Sequence, residues 1–295
     1  RPCILWNDTR SHAEAARLDA DPRFRALSGN IVFPGFTAPK LVWVRAHEPE
    51  VFAATAKVLL PKDFLRLWLT GEYVSEMSDA AGTSWLDTGA RAWSSELLAA
   101  SGMRAEQMPR LVEGTEPSGV LRSELAARWG MAREVVVAGG AGDNAASAVG
   151  VGTVAAGSAF VSLGTSGVLF AATESYLPSP ETAVHSFCHA LPGKWHQMGV
   201  ILSATASLDW FASVSGTTSA ALLGEIDDKP AGPGSLTFLP YLSGERTPHN
   251  DAAIRGAFVG LAHEHDRPAM TRAVLEGVVF ALRDCLEAMR TAGAR

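Results

Sequence analysis

Two glycine-rich stretches hold the side chains of this sequence most able to do chemistry. The first, residues 135–146 (VVVAGGAGDNAA), sets one carboxylate, Asp143, in a run with almost no side-chain bulk. Three β-branched valines predict a short buried strand stopped by a glycine turn, and Asp143 then falls where a helix begins. Two roles are open to an acid there. It caps the free N–H groups of the first turn, or it faces a ligand that the glycines allow to approach closely. At a helix start the dipole also favours the ionised form. The second stretch, residues 161–168 (VSLGTSGV), predicts a hairpin turning at Gly164-Thr165-Ser166-Gly167. Amides and hydroxyls in such a turn converge well on phosphate oxygens, although a plain hairpin turn has the same composition. Neither GxxxxGK[ST] nor GxGxxG is matched, so a P-loop or Rossmann reading is poor. An acid on a glycine loop, followed about twenty residues later by a Gly-Thr-Ser turn, is the order expected where a base faces a phosphoryl donor.

The rest of the chain bounds what such a pair could serve. Its 295 residues suit about two domains, and 47% hydrophobic with 19% charged residues is the composition of a soluble globular protein. A net charge of −6 argues against a nucleic-acid partner. No apolar run reaches the roughly 18 residues of a spanning helix, so no membrane partner is expected. Cys3, Cys188 and Cys285 are scattered and odd in number, which supports neither a disulfide framework nor a cysteine zinc site and fits a reducing cytoplasm. The opening RPCILWNDTR has neither an initiating Met nor the order of a secretory signal, and reads as the interior of a longer protein.

Elements must position the two stretches. Residues 3–6 (CILW) look strand-like, 12–27 form an amphipathic helix interrupted near Pro22, 39–52 join a helical turn to a polar break, and 62–71 form a helix capped by Gly71. Beyond residue 150 the pattern turns β-rich: the hairpin at 157–174, strands at 194–202 and 235–242, and a helix at 203–214 between them. The final helix carries one apolar stripe from Met270 to Met289.

The segments ILWNDTR (4–10), GFTAPKLVWVRAHEPE (35–50), LLPKDFLRLWLTGE (59–72), SDAAGTSWLD (78–87), GGAGDNAASAVGVG (139–152), SLGTSGV (162–168), HSFCHALPGKWH (185–196) and FLPYLSGERTPHN (238–250) together resemble the FGGY family of carbohydrate kinases. The resemblance implies an α/β fold of two ribonuclease-H-like domains of the actin, hexokinase and Hsp70 type, both incomplete here. Residues 1–150 would be the later part of the sugar-binding domain and 151–295 the first part of the nucleotide-binding domain. It implies ATP and Mg2+ as cofactors and D-xylulose as the sugar, phosphorylated at its 5-hydroxyl. It makes Asp143 the catalytic base, Asn144 a sugar ligand, Trp6 an aromatic wall of the sugar pocket, and Gly164, Thr165 and Ser166 a nucleotide phosphate loop. Trp6 could equally be a core residue, one of eight tryptophans. A homodimer is a state common in the family.

The sequence departs from the family pattern at both ends. The opening Asp-x-Gly-Thr hairpin, the Gln-Met-His-Gly sugar loop and the Gly-Gly adenosine motif after the long helix are not in these residues. Catalysis by the 295 residues alone is therefore not expected. A kinase of another ketose or polyol, a non-catalytic sugar- or nucleotide-binding protein, and a chaperone-like ATPase of the same superfold are the rival readings. Among further polar residues, His185 and His189 have a helical metal-binding spacing but no evident third ligand. Glu245, Arg246 and His249 sit in a polar loop, functional or simply solvated, and Asp227-Asp228 reads as an exposed connection.

Overall fold

The computed structural model describes residues 3–131, 134–226 and 232–295, so Asp227-Asp228 lies outside the described residues. The chain opens with helices α1 (His12–Asp19), α2 (Pro22–Ser28), α3 (Thr37–His47), α4 (Pro49–Ala53) and α5 (Pro61–Thr70). Proline starts three of these five: lacking an N–H and fixed in φ, it suits a first helical position and breaks whatever precedes it. Residues 39–52 are accordingly two helices rather than a turn and a break. Gly71 ends α5 in the left-handed conformation at φ 87°, as its position predicts. Residues 3–6 are not a strand. Four apolar residues make one only beside a ladder partner, and Leu5 and Trp6 are exposed instead.

Next come β1 (Val74–Glu76), α6 (Met77–Ala80), β2 (Leu86–Asp87), β3 (Ala92–Trp93), α7 (Ser95–Ser101), β4 (Arg110–Val112), β5 (Pro117–Val120), α8 (Ser123–Arg128), β6 (Val136–Ala138) and α9 (Asp143–Gly150). β1 pairs in parallel with β4, while β2–β3 and β5–β6 are antiparallel pairs. The valine strand β6 is not buried as its composition predicts. Val135 and Val137 pack on Leu121 and Leu125, whereas Val136 alternates outward and is exposed. The second half runs β7 (Ala159–Leu163), β8 (Gly167–Thr173), β9 (His185–Cys188), β10 (Trp195–Ile201), α10 (Thr205–Val214), α11 (Ser219–Gly224), β11 (Thr237–Leu239), β12 (Ala257–Val259) and α12 (Arg267–Thr291). β7 and β8 form the expected hairpin, in register from Ala159↔Ala171 to Leu163↔Gly167. No helix among the described residues is long and apolar enough to cross a membrane.

These elements form two compact units. The first comprises Arg1–Ser158, Ala172–Pro180 and His185–His196; the second comprises Ala159–Ala171, Glu181–Val184 and Gln197–Arg295. The first unit's main core gathers Phe24, Val42, Trp85, Leu97 and Leu98, with the Trp85 indole N–H donating to Ser101 Oγ at 2.8 Å. In the second unit, the stripe on α12 does what its periodicity predicts. Ala273 and Val274 pack with Phe238 and Leu222, and Val278, Ala281, Cys285 and Met289 pack with Ile201 and Leu169. A Cβ on Gly277 would come within 2.3 Å of the Phe238 carbonyl, so helix and strand touch where the stripe is smallest.

The first unit also buries three histidines. His185 and Phe187 stand on β9, and the His189 and His196 rings meet edge to face at 5.9 Å. Since His185 lies on a strand and His189 beyond its end, the pair does not share a helix face, and no metal-ligating group of three acids, cysteines or histidines occurs among the described residues. His189 Nε2 lies 3.1 Å from the Thr153 carbonyl, and its Nδ1 accepts from Leu191 N–H at 3.2 Å. That arrangement requires the neutral ring. Burial lowers the pKa of His189, and burial followed by the neighbouring histidines holds His196 well below the ordinary range. Each group binds its proton less readily folded than unfolded, so stability is complete above the unfolded value of about 6.5 and declines as pH falls below it. The Tm advantage of this protein over a His196→Gln variant should shrink between pH 7 and pH 5; a difference independent of pH would contradict the neutral cluster.

Candidate active site

Asp143 is the first residue of α9, and the cap is Gly142, whose backbone is extended at φ −61°, ψ 155°. The sequence reading of Asp143 as an N-cap is thus one residue out. Its exposed carboxylate accepts instead from the backbone N–H of Asn144 at 2.8 Å and from the Asn144 side-chain amide at 3.2 Å. The two residues expected to act together are therefore held together, on the helix end where the dipole favours negative charge.

The glycines before Asp143 are explained mostly by the protein's own backbone. A Cβ on Gly139 would lie 2.3 Å from the Glu113 carbonyl oxygen, and Gly140 takes a left-handed φ of 78°. Gly142 faces Asp79, whose Oδ1 would be 3.6 Å from an added Cβ. Open space for a ligand is thus not the main reason for the glycines at 139 and 140.

A charge cluster not singled out in the sequence reading supports the loop from beneath. Arg66, 4% exposed, donates to Asp63 Oδ1 at 2.8 Å, to the Val74 carbonyl at 2.7 Å, and to the Gly139 carbonyl. Lys62 Nζ lies 3.4 Å from Asp63, 3.2 Å from Glu76 and 3.5 Å from Asp79. Glu76, fully buried, caps α6 by accepting from Ser78 N–H at 2.7 Å and Asp79 N–H at 2.9 Å. The Ser78 hydroxyl donates to Glu76 at 2.8 Å and accepts from the Gly142 N–H at 2.9 Å. The available signal was Asp63 and Arg66 at i, i+3 on α5, each a charge with too few polar neighbours in sequence.

The second unit holds the turn. Its carbonyls are engaged from behind: Ala204 N–H donates to Thr165 O at 2.8 Å, and Thr205 donates to Gly164 O through its N–H at 3.0 Å and its hydroxyl at 2.8 Å. The start of α10 therefore braces the turn, and Gly164, Thr165 and Ser166 remain exposed. Glu245 is not solvated, as a polar loop suggested, but 2% exposed. Its Oε1 accepts from Leu202 N–H and Arg246 N–H, both at 2.8 Å, which joins the loop to the segment entering α10. Burial raises its pKa against those two hydrogen bonds. His249 Nε2 meets the Tyr241 hydroxyl at 3.1 Å. In the first unit Trp6 is 80% exposed, which removes it from the core, and its carbonyl would lie 2.5 Å from a Cβ on Gly35.

Comparison with known proteins decides the family. The N-terminal domain of the FGGY family of carbohydrate kinases matches residues 1–150, and the C-terminal domain of that family matches residues 159–295. The chain belongs to the FGGY family of carbohydrate kinases. This FGGY chain is 54% identical over its whole length to a xylulose kinase of Escherichia coli K12, of which it spans 61%. It is similar, with a TM-score of 0.99 and 68% identity, to a solved structure described as a xyloylose kinase from Brucella ovis, covering all of this chain and 61% of that one. A gluconate kinase structure from Lactobacillus acidophilus matches at a TM-score of 0.87 and 28% identity, over 97% of this chain and 59% of that one. The chain thus spans about three fifths of the length of the relatives it matches. The fold is the α/β, actin- and hexokinase-like fold that the resemblance implied.

Asp79 makes the FGGY cluster testable. Its carboxyl is pushed up to about 6 from 3.8, chiefly by burial and further by Glu76 and Asp63, with Lys62 pulling the other way. An acid whose folded pKa is raised contributes stability that is present below 3.8 and lost as pH rises through about 6. Asp79→Asn should therefore raise Tm at pH 8, with the gain shrinking as pH falls from 6 towards 4. A Tm gain independent of pH would contradict the assignment.

Proposed function

We propose that the protein carrying this chain transfers the γ-phosphoryl group of ATP to the 5-hydroxyl of D-xylulose. Residues 1–150 serve the sugar and residues 151–295 serve the nucleotide. Asp143 takes the hydroxyl proton, the sugar oxygen bonds to the γ-phosphorus, and the bond to the β–γ bridging oxygen breaks to release ADP. Asn144 holds the sugar beside the base, and Trp6 offers an exposed indole face to the C–H side of a polyol. The amides and hydroxyls of Gly164, Thr165 and Ser166 meet phosphate oxygens. Magnesium arrives with ATP as part of the substrate. Such an ion needs few protein ligands, since phosphates and water complete its shell. A cytoplasmic setting fits the buried Cys188 and Cys285, whose thiols burial pushes up to about 12.

The observation that carries this reading is the exposed Asp143 carboxylate at the start of α9, bonded to Asn144. Xylulose is favoured over gluconate because identity is 54% to the xylulose kinase and 28% to the gluconate kinase.

Asp143→Asn in the full-length protein keeps the size and the helix start but accepts no proton, so kcat should fall by roughly 100-fold or more while the sugar dissociation constant holds. Near-normal kcat would remove Asp143 as the base. Thr165→Val should raise KM for ATP and leave sugar binding unchanged; unaltered ATP kinetics would return the turn to an ordinary hairpin. Both variants are read as sugar-dependent ADP release with D-xylulose and gluconate compared. Hydrolysis indifferent to sugar would instead favour an ATPase.

A further inference from the structure

The hydrogen bonds around Gly142 assign Ser78 a part in the transfer. We propose that Ser78, held by Glu76, is a positioning residue for the base: its hydroxyl fixes the N–H of Gly142 and thereby the direction in which Asp143 leaves the helix end. The inference rests on the reading of Asp143 as the base.

Three features carry it. The cap position of α9 is a glycine, which has no side chain of its own to hold the helix entry. The hydrogen bond that fixes it comes instead from 64 residues away in sequence, at 2.9 Å. Ser78 is 4% exposed and its hydroxyl is oriented by what it must do. With one proton to give, it donates to the fully buried Glu76 and so turns a lone pair towards the Gly142 N–H. A charge-assisted bond to a carboxylate is stronger than a neutral one, so the hydroxyl is not free to rotate away. Finally, the opposite end of the same loop is held by Arg66 at the Gly139 carbonyl, so the loop cannot slide to compensate if Ser78 is lost.

A displacement of the base by about 1 Å can cost on the order of 100-fold in rate, because the reacting groups must lie within hydrogen-bond reach. In the full-length protein, Ser78→Ala should therefore lower kcat by roughly 10- to 100-fold with KM for ATP changed less than about twofold. Ser78→Thr keeps the hydroxyl and should retain most of the activity. Ser78→Cys, close in size and a poor acceptor, should fall between them and tests the same bond if the alanine variant does not fold. The decisive readout is a double-mutant cycle. In the Asp143→Asn background, where no base remains to be positioned, Ser78→Ala should cost little further kcat. A folded Ser78→Ala or Ser78→Cys with near-normal kcat overturns the inference. So does a Thr variant as impaired as the Ala one, or a loss that multiplies fully in the Asp143→Asn background, since that is general destabilisation. If Asp143→Asn itself keeps normal kcat, the assignment of the base has failed, separately from that of Ser78.

Discussion

The grip of a buried charge cluster on one glycine loop is the interaction on which the rest of the candidate site depends. Three carboxylates, Asp63, Glu76 and Asp79, share two cations, Lys62 and Arg66, next to a loop that has almost no side chains. Buried charges are retained at a cost. Removing one partner of the fully buried Asp63–Arg66 pair leaves an uncompensated charge, at about 3–5 kcal/mol. Here the spare hydrogen-bonding capacity is turned outward onto backbone: Arg66 takes the Gly139 carbonyl, and Ser78 passes the polarity of Glu76 to the Gly142 amide. A loop of glycines would otherwise be the most mobile part of the unit. The cluster gives it one conformation, and that conformation starts a helix with an exposed acid.

The second unit solves a similar problem by different means. The Gly164-Thr165-Ser166 turn is braced by main-chain donors at the start of α10, and the segment leading into α10 is tied in turn to the buried Glu245. Beneath both runs α12, whose small residues allow β11 to come close at Gly277. In each unit a flexible, small-residue loop is exposed on one side and fastened by hydrogen bonds on the other. Phosphoryl transfer asks for this arrangement, since its catalysis is positioning plus electrostatic stabilisation.

Much of this was legible in the sequence where periodicity or a chain-breaking residue acts locally. The stripe on α12, the β7–β8 hairpin, the break at Pro22 and the end of α5 at Gly71 all follow from neighbours a few residues away. What was not legible depends on distant partners. Residues 3–6 have strand composition and no ladder; Val136 has a buried residue's character and an exposed position. Asp143 and Asn144 were readable as a pair, but the cap falls at Gly142, whose own N–H donates to Ser78, a partner 64 residues away that local sequence does not reveal. Glu245 looked solvated because its two partners, the amides of Leu202 and Arg246, are backbone groups that sequence composition does not reveal.

The central claim is that the fastened loop delivers Asp143 to a sugar hydroxyl. The most direct test is a crystal structure of the full-length protein with D-xylulose bound. The 5-hydroxyl oxygen should lie roughly 2.6 to 3.2 Å from an Asp143 carboxylate oxygen, with the Ser78–Gly142 hydrogen bond intact. A sugar seated with its 5-hydroxyl on another residue, and Asp143 left in solvent, would contradict the account.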